Sequence, residues 1–499
     1  MRKILKFLTS KMFSIGLIVL IQLVFLGFIL HNLVNDDLIG IYLNVFLNIV
    51  AFFIVLKITT SDINPEYKIA WLIPILVTPI FGTFFYILYY RNNIKPKYKN
   101  KFHSIISDRK DLLMEVPNKL QFKEINYLNK NGWRYYRNTT SMFLASGEEK
   151  LEQLLKDLKE AKEFILMEYF IISKGYMFEQ IMNVLIEKAK EGVKVKLIYD
   201  DLGSADRLPL NFKKTLKKYG IIAYAFNPMS FHINFGNNYR SHRKIVVIDN
   251  KVGFTGGVNI GDEYINKVTR FGHWQDSAIR IEGRAVWSLT LTFLENWNFI
   301  TKENINYLDY KIDYSVESEE VIAPFADNPI ENKQITKSML LYLIGEAKHE
   351  ILITSPYLIL DSEFLLSLKM AAKSGVKVKI VIPKVPDKKI VYLVTESYAL
   401  ELAKYGIEIY KYDGFIHAKL YVFDNNKAII GTTNLDFRSL YLHFENNIYL
   451  FNSKTVTDIK DYINNSILNS SFESVESLRK DSHSVRFLQA VFRGFSPIL

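Results

Sequence analysis

Long runs of apolar side chains dominate the N-terminal part of the chain, at positions 12–34, 38–56 and 70–90. A helix of about 20 apolar residues matches the thickness of a bilayer's hydrocarbon core. Only Asn35-Asp36-Asp37 separates the first two runs, which therefore predict a hairpin of two transmembrane helices. The third run is interrupted by Pro74, Pro79 and Gly82. It therefore predicts either a third membrane span or a re-entrant segment.

The hydrophobic pattern changes to that of an α/β protein from about Phe143 onward. Residues 150–161 and 178–190 have helical apolar spacing, whereas 163–172 and 192–199 are compact or alternating apolar runs. Helices that alternate with β-branched runs of this length predict strands and helices of one sheet.

The same order of elements then recurs. Four landmarks of the first copy have counterparts 186, 183, 186 and 175 residues later, respectively. They are Ala161-Lys162, Glu191-Gly-Val-Lys-Val-Lys, Leu216-Lys-Lys-Tyr-Gly-Ile and His242. A repeat of this length indicates a duplicated domain and not a solenoid. The polar stretch 303–332 is the predicted connection between the two copies.

These patterns predict four regions: a membrane region (1–95), a basic juxtamembrane linker (96–142), a first lobe (143–315) and a second lobe (316–499). The net charge of +11 is compatible with nucleic acid, an anionic membrane or a phosphorylated substrate. Ten Lys or Arg against four Asp or Glu lie between Arg91 and Lys130, beside the apolar runs, and this favours the membrane.

Two other features of the composition bear on placement and chemistry. The N-terminus and the segment after Tyr90 are both basic, so both are expected at the cytoplasmic face, which favours a re-entrant third segment. The chain has no cysteine, which excludes disulfides, thiolate metal sites and a cysteine nucleophile.

The candidate chemistry lies in a motif that occurs twice. The first copy is His242-x-Lys244-x4-Asp249, followed by Gly256-Gly257-x-Asn259. Its apolar run predicts a strand, on which residues two apart share a face, so His242 and Lys244 are expected to point into one cleft. The second copy has the same internal spacing and comprises His417, Lys419, Asp424, Gly431, Thr432 and Asn434.

An imidazole can attack phosphorus to form a covalent intermediate, and an ammonium group can stabilise the phosphate oxygens. Gly257, Asn259, Thr432 and Asn434 are expected to bind phosphate, through close backbone approach, a hydroxyl and amide groups. Two lysines and two asparagines that converge need no metal or other cofactor. A single His-x-Lys motif would be weak evidence for this chemistry, but here the motif occurs twice. His232 lies outside both motifs and is interpreted as a structural histidine.

A nucleophilic histidine also needs an acceptor that fixes its tautomer. Asp276 and Glu445 are the candidates for orienting the two histidines, with a structural salt bridge as the alternative for each. Asp249 and Asp424 complete the catalytic motifs, and they are expected to pair with basic residues and hold each motif's geometry.

These residues resemble the phospholipase D superfamily, and within it the bacterial cardiolipin synthases. The resemblance also rests on Trp274-x-Asp276, on Asn434-x-Asp436-x-Arg438-Ser439 and on the terminal Ser496-Pro-Ile-Leu499. It implies an α/β fold of two duplicated lobes, each a mixed β-sheet flanked by helices, which share one active site at their interface. His443 departs from the pattern, because relatives often have Asn there.

The resemblance further implies a metal-independent transfer between two phosphatidylglycerol molecules, which gives cardiolipin and glycerol. His242 is assigned as nucleophile and His417 as acid/base by analogy, since the motifs are nearly symmetric. Phosphatidylglycerol and anionic membrane lipids are the expected partners, and nucleic acid is not expected to bind. The expected location is the bacterial cell membrane, as a multi-pass protein with the lobes at the cytoplasmic face. Two alternatives stay open, a phospholipase D that hydrolyses phospholipids and a non-catalytic lipid-binding protein. A nuclease would have no use for the apolar runs. A homo-oligomer also stays open.

Overall fold

The computed structural model describes residues 38–89, 96–114, 122–228, 238–301, 303–479 and 482–498. The chain divides into two compact units. The first contains 1–94, 229–238 and 494–499, and the second contains 95–228 and 239–493. The predicted first apolar span, 12–34, and His232 lie outside the described residues.

The described part of the first unit is helical. Its helices are α1 (Leu38–Thr59), α2 (Pro65–Val77) and α3 (Pro79–Tyr89), with a 3-10 turn at Ser496–Ile498. Among the described residues, no helix combines the length and the apolar character needed to cross a membrane.

The third apolar run forms two helices and not one, and the break lies at Thr78 between α2 and α3. The two helices cross closely because residue 82 is glycine, where a Cβ would lie 2.3 Å from the carbonyl carbon of Pro74. A small core forms around Trp71 and Tyr86, whose rings meet edge to face at 5.6 Å.

In the second unit the helices are α4 (Pro96–Met114), α5 (Lys123–Lys130), α6 (Gly147–Lys159), α7 (Tyr176–Lys190), α8 (Phe212–Lys218), α9 (Val286–Ile300), α10 (Ile335–Glu346), α11 (Ser362–Lys373), α12 (Lys389–Ala403), α13 (Phe437–Tyr441), α14 (Lys454–Leu468), α15 (Val475–Leu478) and α16 (His483–Gly494). The strands of its first half are β1 (Thr139–Leu144), β2 (Phe164–Tyr169), β3 (Lys194–Asp200), β4 (Ile222–Phe226), β5 (Arg240–Ser241), β6 (Lys244–Ile248), β7 (Val252–Gly256), β8 (Trp274–Gln275) and β9 (Ala278–Gly283). Those of its second half are β10 (Val321–Asp327), β11 (Glu350–Thr354), β12 (Lys377–Pro383), β13 (Glu408–Tyr412), β14 (Phe415–Ile416), β15 (Leu420–Phe423), β16 (Lys427–Gly431), β17 (His443–Phe451) and β18 (Ser470–Glu473).

The predicted duplication appears as two mixed sheets that share the order of seven strands, and the second sheet has one further edge strand, β18. The first has the strand order β1-β9-β7-β6-β2-β3-β4, and the second has the order β10-β17-β16-β15-β11-β12-β13-β18. In both sheets three neighbouring strands are parallel, namely β2-β3-β4 and β11-β12-β13. The strand that follows the motif histidine, β6 or β15, runs antiparallel to the first of these three. The predicted helices and strands of the first lobe correspond to α6, α7, β2 and β3.

The segment 303–332 is not only a connection, because it contains β10, which is buried along its length. Pro324 lies within this strand. Proline lacks a backbone N–H but is tolerated at the edge of a sheet, and β10 is an edge strand that pairs with β17.

The basic region 96–142 also belongs to the folded second unit. Helix α4 buries Phe102, which packs edge to face on Phe299 of α9 at 4.9 Å. Arg109 of the same helix is 1% exposed and pairs with Glu295 of α9 at 2.9 Å. Helix α9 is buried on nearly all sides, so α4 covers part of the core.

Candidate active site

Two very short pairs of parallel strands join the lobes and position the histidines. Strand β5 of the first lobe pairs with β17 of the second, and β14 of the second lobe pairs with β8 of the first. Each of the two histidines directly follows its short strand. The amide of His242 donates to the carbonyl of Phe444 at 2.9 Å, and that of His417 donates to Gln275 at 2.7 Å.

This register brings each histidine beside the acid of the opposite lobe. His242 Nδ1 lies 3.0 Å from both carboxylate oxygens of Glu445. His417 Nδ1 lies 2.7 Å from Asp276 Oδ2. Since a carboxylate only accepts, each Nδ1 carries the proton, and the lone pair of Nε2 faces the site. The structure thus brings both predicted acids to histidines and pairs them crosswise.

Both motif lysines are buried beside the histidines. The Nζ of Lys244 donates to the carbonyl of His242 at 2.6 Å, and Lys419 makes the equivalent bond to His417. Each lysine is 1% exposed. Burial lowers the pKa of Lys419 to about 8 and that of Lys244 well below its usual value, although nearby carboxylates act in the opposite direction.

The histidines are held in the neutral form that a nucleophile needs. Burial lowers the pKa of His242 well below its usual value, and the charges of Lys244 and Lys419 lower it further. Burial and Lys419 lower the pKa of His417 to about 4, against the opposing effect of Asp276. Burial alone would raise the pKa of Asp276, but His417 and Lys419 outweigh it and leave the pKa below its usual value. A bound phosphate anion would favour protonation of either imidazole.

The expected phosphate-binding residues have different surroundings in the two lobes. Asn259 accepts a hydrogen bond from the Ile171 amide at 3.0 Å and donates to Tyr264 at 2.8 Å. Asn434 is buried, and its Oδ1 accepts no hydrogen bond from the part of the chain that the structure describes. Direct contact of these amides with phosphate stays a prediction.

In this structure Thr432 and Gly257 contact the two acids, and contact of either residue with phosphate stays a prediction. Thr432 Oγ1 donates to Glu445 Oε2 at 2.5 Å, and a hydroxyl has a single proton to donate. A Cβ at residue 257 would lie 2.0 Å from Asp276 Oδ1 and 3.0 Å from the His417 carbonyl oxygen. Glycine therefore lets the acid reach His417.

The expectation that Asp249 and Asp424 pair with basic side chains is corrected. Asp249 accepts bonds of 2.8 Å from three consecutive backbone amides, those of residues 162, 163 and 164, where β2 begins. Asp424 accepts equivalent bonds from the amides of residues 348, 349 and 350, at the start of β11. At about 3.4 Å per residue, Asp249 lies roughly 17 Å along the strand from Lys244. Its carboxylate satisfies three amides at the start of β2 that would be costly to leave unpaired.

His443 adds a third imidazole that the sequence did not assign. Its ring lies 5.5 Å from that of His242, and its Nδ1 lies 3.6 Å from Glu445 Oε1. Among the described residues, His242, His443 and Glu445 form the group whose ligand atoms, within 4.8 Å of one another, could hold a metal ion. The neighbouring lysines instead favour an anion. The available signal in the sequence was that residue 443 departs from the pattern of the family that the motifs resemble.

Arg243, between the two motif residues, was also missed. It is 1% exposed, and its guanidinium donates to the carbonyls of Glu445 at 3.3 Å and Asp327 at 3.0 Å, both in the second lobe. It thereby helps to fix the backbone that carries the acid of His242.

Taken together, the site offers two neutral imidazoles, each aligned by a carboxylate, and two ammonium groups in a buried setting. Such a set can displace an alcohol from a phosphodiester through a covalent histidine intermediate.

Comparison with known proteins places this chain in a family. A family model described as "Cardiolipin synthase, PLD-like domain" matches residues 154–281 and 340–467. A second model, "Phospholipase_D-nuclease N-terminal", matches residues 46–89.

Similar curated proteins cover most of the chain. A cardiolipin synthase from Alkalihalophilus pseudofirmus is 35% identical over 84% of this chain and 85% of its own length. A cardiolipin synthase from Listeria innocua is 35% identical over 86% of this chain and 93% of its own length. An uncharacterized protein from Streptococcus mutans is 36% identical over 89% of this chain and 99% of its own length.

A solved structure of a phosphatidylserine synthase from Haemophilus influenzae aligns with a TM-score of 0.56 and 14% identity. The alignment covers 76% of this chain and 98% of that one. At this identity the likeness concerns the fold.

Proposed function

The chain belongs to the cardiolipin synthase family of phospholipase D-like phosphatidyltransferases, and we propose that its two crosswise histidines divide phosphatidyl transfer between them. The overall reaction joins two phosphatidylglycerol molecules into cardiolipin and releases glycerol. The observation that carries the proposed division is the pairing of each histidine with a carboxylate from the opposite lobe.

In the first half-reaction, Nε2 of His242 attacks the phosphorus of one phosphatidylglycerol. A P–N bond forms while the P–O bond to glycerol breaks, and protonated His417 gives its proton to the departing oxygen. The negative charge of the bound lipid provides the protonated form of His417 by opposing the effect of the lysines. Glu445 stabilises the positive charge that develops on His242.

The second half-reaction reverses these steps with a new alcohol. His417, now neutral, takes the proton of a hydroxyl group on the second phosphatidylglycerol. The oxygen attacks phosphorus, the P–N bond breaks and His242 is regenerated. The reaction is reversible because both half-reactions use the same groups.

Lys244 and Lys419 are assigned to the non-bridging phosphate oxygens. Each Nζ has three protons, so one bond to a histidine carbonyl leaves others for the lipid phosphate. Their burial strengthens this interaction, because the effective dielectric constant is lower than in water. Asn259 and Asn434 are assigned to the same phosphate group.

We further propose that the first unit attaches the enzyme to the bacterial cell membrane, with the lobes at the cytoplasmic face. Helix α1 supports this, since many of its large apolar side chains are exposed; they include Tyr42, Val45, Phe46, Ile49, Phe52 and Phe53. The number of spans stays a prediction. A site held at the interface meets lipid headgroups at high local concentration.

The test is to incubate the purified full chain with labelled phosphatidylglycerol and a chelator, and to resolve the products. Cardiolipin and glycerol are expected in a 1:1 ratio. Phosphatidic acid as the only product would favour hydrolysis, and the absence of any product would favour a lipid-binding protein. His242→Ala and His417→Ala should abolish the activity, and the control His103→Ala, at an exposed histidine of α4, should not.

A further inference from the structure

Helix α16 turns its apolar stripe away from the protein. Phe487, Leu488 and Val491 lie on one face of the helix and are 68%, 42% and 40% exposed. Val491 lies four residues after Phe487 and three after Leu488, and residues at these two spacings share a helical face, so the three side chains form a continuous stripe. A surface helix of a soluble protein normally buries such a stripe.

Polar contacts hold the opposite face against the second lobe. Gln489 is buried at 6% exposure. Arg493 pairs with Glu401 and donates to Ser397 at 3.2 Å, and its guanidinium lies 4.1 Å above the ring of Tyr398, all on α12. These contacts fix the rotation of the helix, so the outward direction of the stripe is part of the fold.

The charge around the stripe indicates what covers it. The helix sequence HSVRFLQAVFRG contains no acidic residue and two arginines, of which Arg493 is already paired with Glu401 on the opposite face. Arg486 is exposed on the flank of the stripe. Basic residues beside an exposed apolar stripe fit the headgroup layer of an anionic bilayer. The residues that follow the helix, Ser496–Ile498, pack against α2 within the first unit.

We propose that α16 is an interfacial helix, with Phe487, Leu488 and Val491 inserted among the acyl chains just below anionic headgroups and Arg486 at the phosphates. The proposal rests on the proposed membrane attachment and adds a second contact, on the second lobe itself. It commits to a lipid surface as the occupant, and a second copy of the chain is the alternative that the test must separate.

The absence of cysteine from the sequence allows a direct test. A fluorophore is attached at Val491→Cys or, as the control, at Leu468→Cys, which is an isolated apolar residue of α14 with 82% exposure. The full chain is placed in nanodiscs of phosphatidylcholine and phosphatidylglycerol. Emission is then quenched either by a spin label carried on lipid or by iodide in water.

The expected result is that the lipid-borne quencher removes most of the emission at position 491 and little at position 468, while iodide does the reverse. Raising the phosphatidylglycerol content should increase lipid quenching at 491, and Arg486→Gln should weaken this increase. Equal access of iodide to both positions would overturn the proposal. Protection from both quenchers, with energy transfer between labelled copies, would overturn it in favour of a second copy.

Cardiolipin synthesis is measured in the same nanodiscs, so the two claims fail separately. Active enzyme with an unquenched label at 491 would refute the interfacial helix and leave the proposed function intact. As a further check, the triple change Phe487→Gln, Leu488→Gln and Val491→Gln keeps helix propensity and should raise KM for nanodisc lipid several-fold. The control pair Leu210→Gln and Leu468→Gln, also at exposed apolar residues, should leave KM unchanged.

Discussion

The crosswise pairing of acids and histidines predicts different defects for Glu445→Gln and Asp276→Asn. Glu445 supports His242, the proposed nucleophile, and Asp276 supports His417, the proposed acid/base. Both substitutions keep the shape of the side chain and remove its charge. Thr432 can still donate to a glutamine oxygen at residue 445, so the fold should be retained.

The size of the Glu445→Gln defect follows from the buried charge pair that it removes. His242 becomes positive as it attacks, and the hydrogen bond to a buried carboxylate is then a charged one. A charged hydrogen bond contributes about 1.5–3 kcal/mol against about 1 for a neutral bond, and breaking a buried pair costs about 3–5 kcal/mol. A loss of about 2–4 kcal/mol corresponds to roughly 30- to 1,000-fold in the rate of the first half-reaction.

The leaving group distinguishes the two acids in a single-turnover assay. With phosphatidylglycerol as the donor, both substitutions should slow release of the leaving alcohol. With phosphatidyl-p-nitrophenol, whose leaving group needs no proton, Asp276→Asn should recover most of the wild-type rate while Glu445→Gln stays slow. Recovery of Glu445→Gln alone would reverse the roles of the two histidines, and equal recovery of both would refute their division.

Three further predictions follow from the site. Because burial lowers the pKa of Lys419 to about 8, this lysine loses its charge as pH rises through that value, and kcat/KM should fall on the alkaline side. In a pH–rate profile, Lys419→Arg should move this fall to higher pH. An unmoved profile would exclude the assignment of the fall to Lys419. Gly257→Ala should displace Asp276, the acid of His417, and lower the rate of cardiolipin synthesis about 100-fold. The control Gly345→Ala, where a Cβ meets nothing within 4 Å, should leave the rate unchanged. Equal rates for the two variants would contradict the close packing at Gly257. Asp249→Asn should destabilise the protein by about 1–3 kcal/mol, which a lower Tm would show. Per folded molecule, this variant should keep more activity than Lys244→Ala. Lost activity at an unchanged Tm would argue for a catalytic role of Asp249.

The repeated motifs and the strands around them could be read from the sequence because both are local signals. Alternating and apolar runs predict strands such as β3, and identical spacing in two copies predicts one shared chemistry. The two acids were found for the same reason, since each lies near a motif at a recognisable position.

The pairing of acid with histidine could not be read in this way. It depends on β5 and β14, which have two residues each and show no periodicity. Their partners lie in the other lobe, so the contact exists only after both lobes have folded. Likewise, β10 was hidden by its proline, and the packing of α4 depends on a core that the basic composition of its segment does not reveal.

The central claim is that His242 carries the phosphatidyl group while His417 moves the proton. Its most direct test is peptide mass spectrometry of the His417→Ala enzyme after reaction with phosphatidyl-p-nitrophenol, without an acceptor lipid. The predicted result is one phosphatidyl adduct per chain, on His242, formed with release of one p-nitrophenol. Release of p-nitrophenol with no adduct on His242, or an adduct on another residue, would contradict the account.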